Sequence, residues 1–224
     1  MLYAVGDIHG EVELLRELLV KLPHEPGDRF VFMGDYVDRG PDSWAVVEEL
    51  IRFGKERECV FLLGNHESMF LDFIGWQGPA YFAGDAFLMN GGDRTLASYG
   101  YFDREDPTPE GFRLPEEHEA FYRGLVLHHR DGDYLFVHAG LGRALIEDDL
   151  HLALRRAHPE DLLWDRSTLG LPHHFEVTIV YGHTPTADFS VRWNEPFSIG
   201  IDTGAVYGGR LTAIRLPDET LFQV

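Results

Sequence analysis

Basic residues are scarce in this 224-residue chain, with 19 Lys and Arg against 38 Asp and Glu and a formal net charge of -19. Nucleic-acid binding depends on cations that neutralise phosphates, so this imbalance argues against a general DNA or RNA binder. Cysteine is rarer still: Cys59 stands alone, which excludes an intramolecular disulfide framework. A cysteine-dependent phosphatase would also need an arginine a few residues downstream, and Val60 to Asn65 contains none. Cys59 therefore reads as a small apolar core residue. No apolar run reaches transmembrane length. The first strand begins at Leu2, which leaves no room for a signal peptide, so a cytoplasmic protein without membrane contact is expected. Internal repeats, linkers and low-complexity tracts are absent as well.

What is present is a repeated grammar, an apolar run followed by a glycine-bounded polar cluster. Leu2 to Val5 leads into Gly6-Asp7-Ile8-His9-Gly10, and Arg29 to Met33 leads into Gly34-Asp35-Tyr36-Val37-Asp38-Arg39-Gly40. Cys59 to Leu63 leads into Gly64-Asn65-His66-Glu67. Between these runs, Val12, Leu14, Leu15, Leu18, Leu19 and Leu22, then Ala45, Val46, Val47, Leu50 and Ile51, recur at helical spacing. Three strand-helix units in succession predict parallel pairing. Further on, Val126 to His129 and Tyr134 to Val137 read as a hairpin ending in His138-Ala139-Gly140, and Val177 to Tyr181 ends in Gly182-His183. Helices are expected at Glu116 to Gly124 and Leu145 to Ala157, with short strands at Phe197 to Ile201, Leu211 to Leu216 and Leu221 to Val224. The expected fold is α/β, two packed mixed β-sheets flanked by helices, as one domain over 1–224. Residues 70–115, rich in Gly, Pro and aromatics, are expected to form a helical, loop-rich insertion over the site.

The polar residues just after strands are Asp7, His9, Asp35, Asp38, Arg39, Asn65, His66, His138 and His183. Strand ends can converge, and the set mixes oxygen and nitrogen ligands suited to Mn, Fe or Zn. It holds more ligands than one ion requires, so a pair of ions sharing a carboxylate explains it better. Two such ions can clamp attacking and leaving oxygens and lower the pKa of a bridging water toward neutrality, with no covalent enzyme intermediate.

Taken together, Asp7-Ile8-His9, Gly34 to Gly40, Gly64-Asn65-His66-Glu67, His138-Ala139-Gly140 and Gly182-His183 resemble the ordered motifs of the calcineurin-like metallophosphoesterases. More narrowly they resemble the phosphoprotein phosphatase branch in its bacterial and phage form. The resemblance runs from residue 6 to about residue 210 and implies a four-layer α/β/β/α sandwich. It implies that Asp7 and His9 hold the first metal, that Asp35 bridges, and that Asn65, His138 and His183 hold the second. His66 would protonate the leaving group with Asp38 as its carboxylate partner, and Arg39 would grip phosphate oxygens. Leu162 to Arg166 is similar to a bacterial segment that supplies a second phosphate-binding arginine, here Arg166. The implied cofactors are two divalent ions, manganese first, with iron or zinc admissible. The implied activity is hydrolysis of phosphoserine and phosphothreonine, with phosphotyrosine as an extension, by in-line attack of a metal-bridging hydroxide. Phosphorylated proteins or small phosphoesters are the expected partners, and a monomer is the default.

Two other readings compete with this one. A symmetrical diadenosine tetraphosphate hydrolase is similar in fold, metals and the closing Asp202-Thr203-Gly204 segment. Asp38 and Glu67 favour the phosphatase branch, while Leu63 departs from its eukaryotic members. A non-enzymatic metal-binding scaffold is the second alternative, and it would be expected to have lost ligands or the acid. Bland roles are also open: Asp38 or Asp42 could cap the helix that follows, Glu67 could bind loop backbone, Arg166 could be an exposed arginine, and Tyr207 could border the site. The adjacent pairs His128-His129 and His173-His174 match no motif.

Overall fold

The chain's computed structural model describes residues 1–101, 111–143, 146 and 149–224. Strand β1 (Leu2–Val5) is followed by helix α1 (Val12–Lys21), β2 (Arg29–Phe32), α2 (Ser43–Glu56), β3 (Glu58–Phe61) and α3 (Asn65–Phe73). The 70–115 segment adds two single turns of 3-10 helix and α4 (Gly92–Ser98), and α5 (Glu116–Arg123) follows it. The second half contains β4 (His128–Asp131), β5 (Tyr134–Val137), α6 (Leu150–Arg156), α7 (Pro159–Trp164), β6 (Thr178–Tyr181), β7 (Arg192–Asn194) and β8 (Ser198–Gly200). It ends with β9 (Thr212–Leu216) and β10 (Thr220–Gln223).

Among the described residues, ten strands make two five-stranded sheets, in the orders β10-β9-β1-β2-β3 and β4-β5-β6-β8-β7. In the first, β1, β2 and β3 run parallel and β9 pairs antiparallel with β1. Strand β1, and β2 after Arg29, are apolar and buried because both faces are covered. Alternation decides which side chain goes where: Leu2, Ala4, Val31 and Met33 meet Phe136, Val180 and Ile199 of the second sheet in one buried cluster. Tyr3, Val5, Phe30 and Phe32 point the other way, onto α1 and α2. On the far side, Leu135, Val137, Ile179 and Tyr181 pack with Leu162 of α7. The expected four layers, helices outside two mixed sheets, are therefore present.

The second sheet is mixed, with a parallel centre that the hairpin reading did not specify. Its central strands β5, β6 and β8 are parallel, and only the edge strands β4 and β7 run against them. Parallel neighbours need a long crossover, and α6 and α7 provide it between β5 and β6. The sequence pattern missed α7 and β7 because each is only a few residues long. The expected start of a helix at Leu145 falls outside the described residues, and the helix seen begins at Leu150. In the 70–115 segment, Phe70, Phe87, Leu96 and Phe112 are buried in the same cluster as α1 and α2; the expected loop at 106–109 lies outside the described residues. No helix among the described residues is long and apolar enough to cross a membrane. Cys59 sits half-buried in β3, and burial pushes its thiol up to about 12, away from reactivity.

Phe136, fully buried between the sheets, tests this packing. Phe136→Ala is expected to lower unfolding free energy by about 3–5 kcal/mol in urea denaturation, and Phe136→Leu by much less.

Candidate metal centre

Every parallel strand delivers a polar residue at its carboxyl end, where functional loops of such sheets lie. β1 leads to Asp7 and His9, β2 to Asp35, and β3 to Asn65 and His66; β5 leads to His138 and β6 to His183. All seven are buried. The loops after β1 and β2 are joined through backbone, since Ile8 and His9 N–H both donate to the Asp35 carbonyl at 3.0 and 2.8 Å.

Two groups of side chains have ligand atoms close enough to share an ion, His9 with Asp35 and His66, and Asp35 with His138 and His183. Asp35 belongs to both, as a bridging carboxylate should. Its Oδ2 lies 3.5 Å from His9 Nε2 and its Oδ1 lies 3.3 Å from His138 Nε2. Backbone carbonyls orient two of the imidazoles: His9 Nδ1 is 2.8 Å from Val37 O, and His138 Nδ1 is 2.7 Å from Met33 O. A carbonyl only accepts, so each Nδ1 carries a proton and each Nε2 faces the centre. Asn65 Oδ1 lies between two imidazoles, 3.0 Å from His138 Nε2 and 2.9 Å from His183 Nδ1. Asp7 sits outside both groups. Its Oδ2 accepts from His183 N–H at 2.8 Å, while its buried Oδ1 has no protein partner, and neither has His183 Nε2.

The electrostatics call for a cation. Burial works against protonating His138, yet the charge and hydrogen bond of Asp35, with Asp7, outweigh it and carry His138 up to about 10. Burial and then the charge of Asp202 push the Asp7 carboxyl upward. Burial and then His138 bring His183 down to about 3, so its imidazole is neutral and one ring nitrogen keeps a free lone pair for a metal. Clustered acceptors, orphaned buried donor atoms and a mixed O/N ligand set fit divalent ions.

Backbone strain concentrates here. Of eight non-glycine residues at positive φ among the described residues, His9, Asp35, Asp38, Arg39 and His183 are five. Such conformations cost about 1–3 kcal/mol each and persist where surroundings over-determine them. Glu67 supplies much of that determination. Fully buried, it accepts from the N–H groups of Asp35 at 2.9 Å, Tyr36 at 2.7 Å, Val37 at 3.2 Å and Gly64 at 3.0 Å. Gly64 and Gly182 serve close approach rather than turning, since a Cβ would lie 2.2 Å from Asp35 Oδ1 at the first and 2.1 Å from Asp7 Oδ1 at the second.

The remaining site residues separate clearly. Asp42 caps α2, its Oδ1 accepting from Ala45 N–H at 2.9 Å. Asp38 does not cap; its Oδ2 lies 2.6 Å from His66 Nδ1. Burial pushes the Asp38 carboxyl upward, against the hydrogen bond from Thr95, and holds His66 down at about 4, against the charge of Asp35. Arg39 Nη1 is 2.7 Å from His9 Nε2, and its guanidinium lies 5.5 Å from the centre of the half-exposed Tyr207 ring. Arg166 is exposed and donates through Nε to Thr184 Oγ1 at 3.1 Å, beside His183. His128, His129, His173 and His174 join neither ligand group. Two neighbours escaped the sequence reading as site residues. Asp202 is buried after β8, and burial first and then the charge of Asp35 push its carboxyl up to about 6, although the Gly204 N–H it accepts opposes them. Thr95 contacts Asp38, and no periodicity signalled it.

Two sheets whose parallel strands bring Asp, Asn and His to one bridged point define a class, the metal-dependent hydrolases built on an α/β sandwich. Within it, the chain belongs to the calcineurin-like phosphoesterase family, whose model matches residues 2–207. It is therefore a metallophosphoesterase, and the fold implies a dinuclear divalent metal site. A relative from Oceanobacillus iheyensis, named bis(5'-nucleosyl)-tetraphosphatase PrpE (asymmetrical), is 30% identical over 98% of this chain and 90% of its own length. A relative of the same name from Anoxybacillus flavithermus is 28% identical over 96% of this chain and 89% of its own. A crystal structure described as a candidate diadenosine tetraphosphatase aligns with a TM-score of 0.70 at 24% identity, covering 100% of this chain and 92% of that one. These relatives are not named as protein phosphatases, the branch that the sequence resemblance had favoured.

Replacing Glu67 by Gln turns an amide N–H toward backbone donors. The expected result is a loss of about 1–3 kcal/mol of stability, read by thermal and urea unfolding, together with weakened metal binding.

Proposed function

We propose that this protein hydrolyses dinucleoside tetraphosphates asymmetrically, giving a nucleoside triphosphate and a nucleoside monophosphate. The observation that carries the reading is similarity over almost the full length of relatives that bear that activity in their name. It replaces phosphoproteins as the preferred substrate, and symmetrical cleavage as the alternative. Asp38 and Glu67 had favoured the phosphatase branch, but their contacts serve tasks independent of substrate class. Asp38 partners His66, and Glu67 ties down loop backbone.

In this reading Asp7 and His9 hold one ion, Asn65, His138 and His183 hold the other, and Asp35 belongs to both. Bound divalent ions, manganese first with iron or zinc admissible, would offset phosphate charge and lower the pKa of water toward neutrality. Arg39 beside His9 and Arg166 beside Thr184 would hold phosphate oxygens; the guanidinium fork suits two oxygens at once. Arg39 then exchanges its contact with His9 for the substrate. His66 gives a proton to the departing phosphate oxygen, and Asp38 keeps the imidazole oriented.

Product analysis by anion exchange tests the substrate. With manganese, diadenosine tetraphosphate is expected to yield ATP and AMP, at far higher kcat/KM than a phosphoserine peptide or an aryl phosphate. Two ADP would overturn asymmetric cleavage, and preference for the peptide would restore the phosphatase reading. Asp35→Asn tests the bridge, since metal analysis should show loss of both ions together and turnover should fall by about a thousandfold or more. Chelation should abolish activity, and added manganese should restore it.

A further inference from the structure

Asp38 is held by more than His66. Its other oxygen, Oδ1, accepts from Thr95 Oγ1 at 2.6 Å. Thr95 lies on α4, 57 residues further along the chain, and is fully buried. The same hydroxyl accepts the Asp38 backbone N–H at 2.9 Å and lies 2.9 Å from Ser43 Oγ, itself buried at the start of α2. Proton counting fixes the directions. A threonine hydroxyl has one proton and two lone pairs, and an ionised carboxylate only accepts. The Thr95 proton therefore goes to Asp38 Oδ1, and Ser43 donates in the Ser43-Thr95 contact. Thr95 then gives one hydrogen bond and receives two, with no capacity left over.

The consequence reaches the imidazole. With Oδ1 fixed by Thr95 and the backbone N–H shared between Ser43 and Thr95, the Asp38 carboxylate has one orientation, which turns Oδ2 to His66 Nδ1. With Asp38 ionised, Nδ1 carries the proton that donates to Oδ2, and Nε2 is the nitrogen left to act on substrate. Asp38 and Arg39 sit at φ of 70° and 68°, a local backbone path that needs external support. The 70–115 segment supplies it twice, through Thr95 and through the Gly91 carbonyl, which accepts from Arg39 N–H at 3.1 Å.

We propose that Thr95 is a positioning residue for the proton donor. The segment expected from sequence to lie over the site thereby sets the geometry of the His66-Asp38 pair. This inference rests on the reading of His66 as the donor, and the test separates the two.

Thr95→Val, which keeps shape and removes the hydroxyl, is compared with Thr95→Ser, Thr95→Ala, His66→Asn and the Thr95→Val/His66→Asn double variant in the metal-loaded enzyme. Circular dichroism and thermal melting check folding of each. Thr95→Val is expected to lower kcat by about tenfold or more with KM nearly constant, and Thr95→Ser to restore most of it. In the His66→Asn background the same change should cost less than about twofold, because a residue acting through His66 has nothing left to position. Wild-type kcat in both Thr95→Val and Thr95→Ala would overturn the proposal, as would an equal loss in both backgrounds. Should Thr95→Val fail to fold, Thr95→Ala, alone and with His66→Asn, carries the same comparison. If His66→Asn alone leaves kcat unchanged, the donor reading fails and the positioning role falls with it; if His66→Asn is impaired and neither Thr95 variant is, only the positioning role falls.

Discussion

The Glu67 carboxylate underlies the whole centre. Four backbone N–H groups from two loops converge on its two oxygens, so one side chain sets the path of Asp35 to Val37 and ties it to Gly64 at the start of α3. A buried N–H without a partner costs about 1–3 kcal/mol, and here four would be orphaned together. Burial and the nearby Asp35 charge push the Glu67 carboxyl upward, while the donors around it pull the other way. The loop after β2 can therefore hold Asp35, Asp38 and Arg39 in left-handed conformations that an unsupported chain would relax.

That frame works because two sheets share one edge of the core. The first sheet supplies Asp7, His9, Asp35 and Asn65 from the ends of β1, β2 and β3, and the second supplies His138 and His183 from β5 and β6. The inter-sheet cluster of Leu2, Ala4, Val31, Met33, Phe136, Val180 and Ile199 fixes their separation. Asp35 spans the junction, with one oxygen toward His9 and the other toward His138. Apolar packing and ligand geometry are thus one constraint: a slip between the sheets would separate the two halves of the ligand set. Asn65 makes the same point at shorter range, because its Oδ1 on α3 sits between His138 and His183 of the other sheet.

The clusters after β1, β2, β3, β5 and β6 were legible in sequence because each combines an apolar run, a glycine and chemically committed side chains within a few residues. That locality also carried the layers and the Asp and His residues that the fold brings together. What lay outside it did not show. The short β7 and α7 leave too few residues for a period to register, and the parallel centre of the second sheet depends on a crossover that local pattern does not reveal. Thr95 is the clearest case, since an isolated threonine in a Gly- and aromatic-rich segment carries no signal until the fold brings it against Asp38. Asp38 itself was ambiguous between capping and partnering His66. The cap belongs to Asp42, four residues on, a choice set by where the helix begins and not by residue type.

Substrate class was the least legible property, for a reason the geometry makes plain. In the proposed reading, metal ligands, acid pair and phosphate-binding arginines all address one phosphorus, its oxygens and the bond being broken. Those features are common to a phosphoserine, an aryl phosphate and a polyphosphate chain. An Asp38-His66 pair can therefore identify hydrolysis without identifying what is hydrolysed. Discrimination must come from groups that meet the rest of the substrate, and around this centre these include Tyr207, half-exposed beside Arg39, and Arg166 with Thr184 beside His183. A tetraphosphate extends several phosphates beyond the cleaved bond, so it would engage such rim groups in a way that a single phosphomonoester does not. On the proposed reading, the outcome of cleavage, symmetrical or asymmetrical, depends on which phosphate the rim allows to reach the ions that Asp35 would hold.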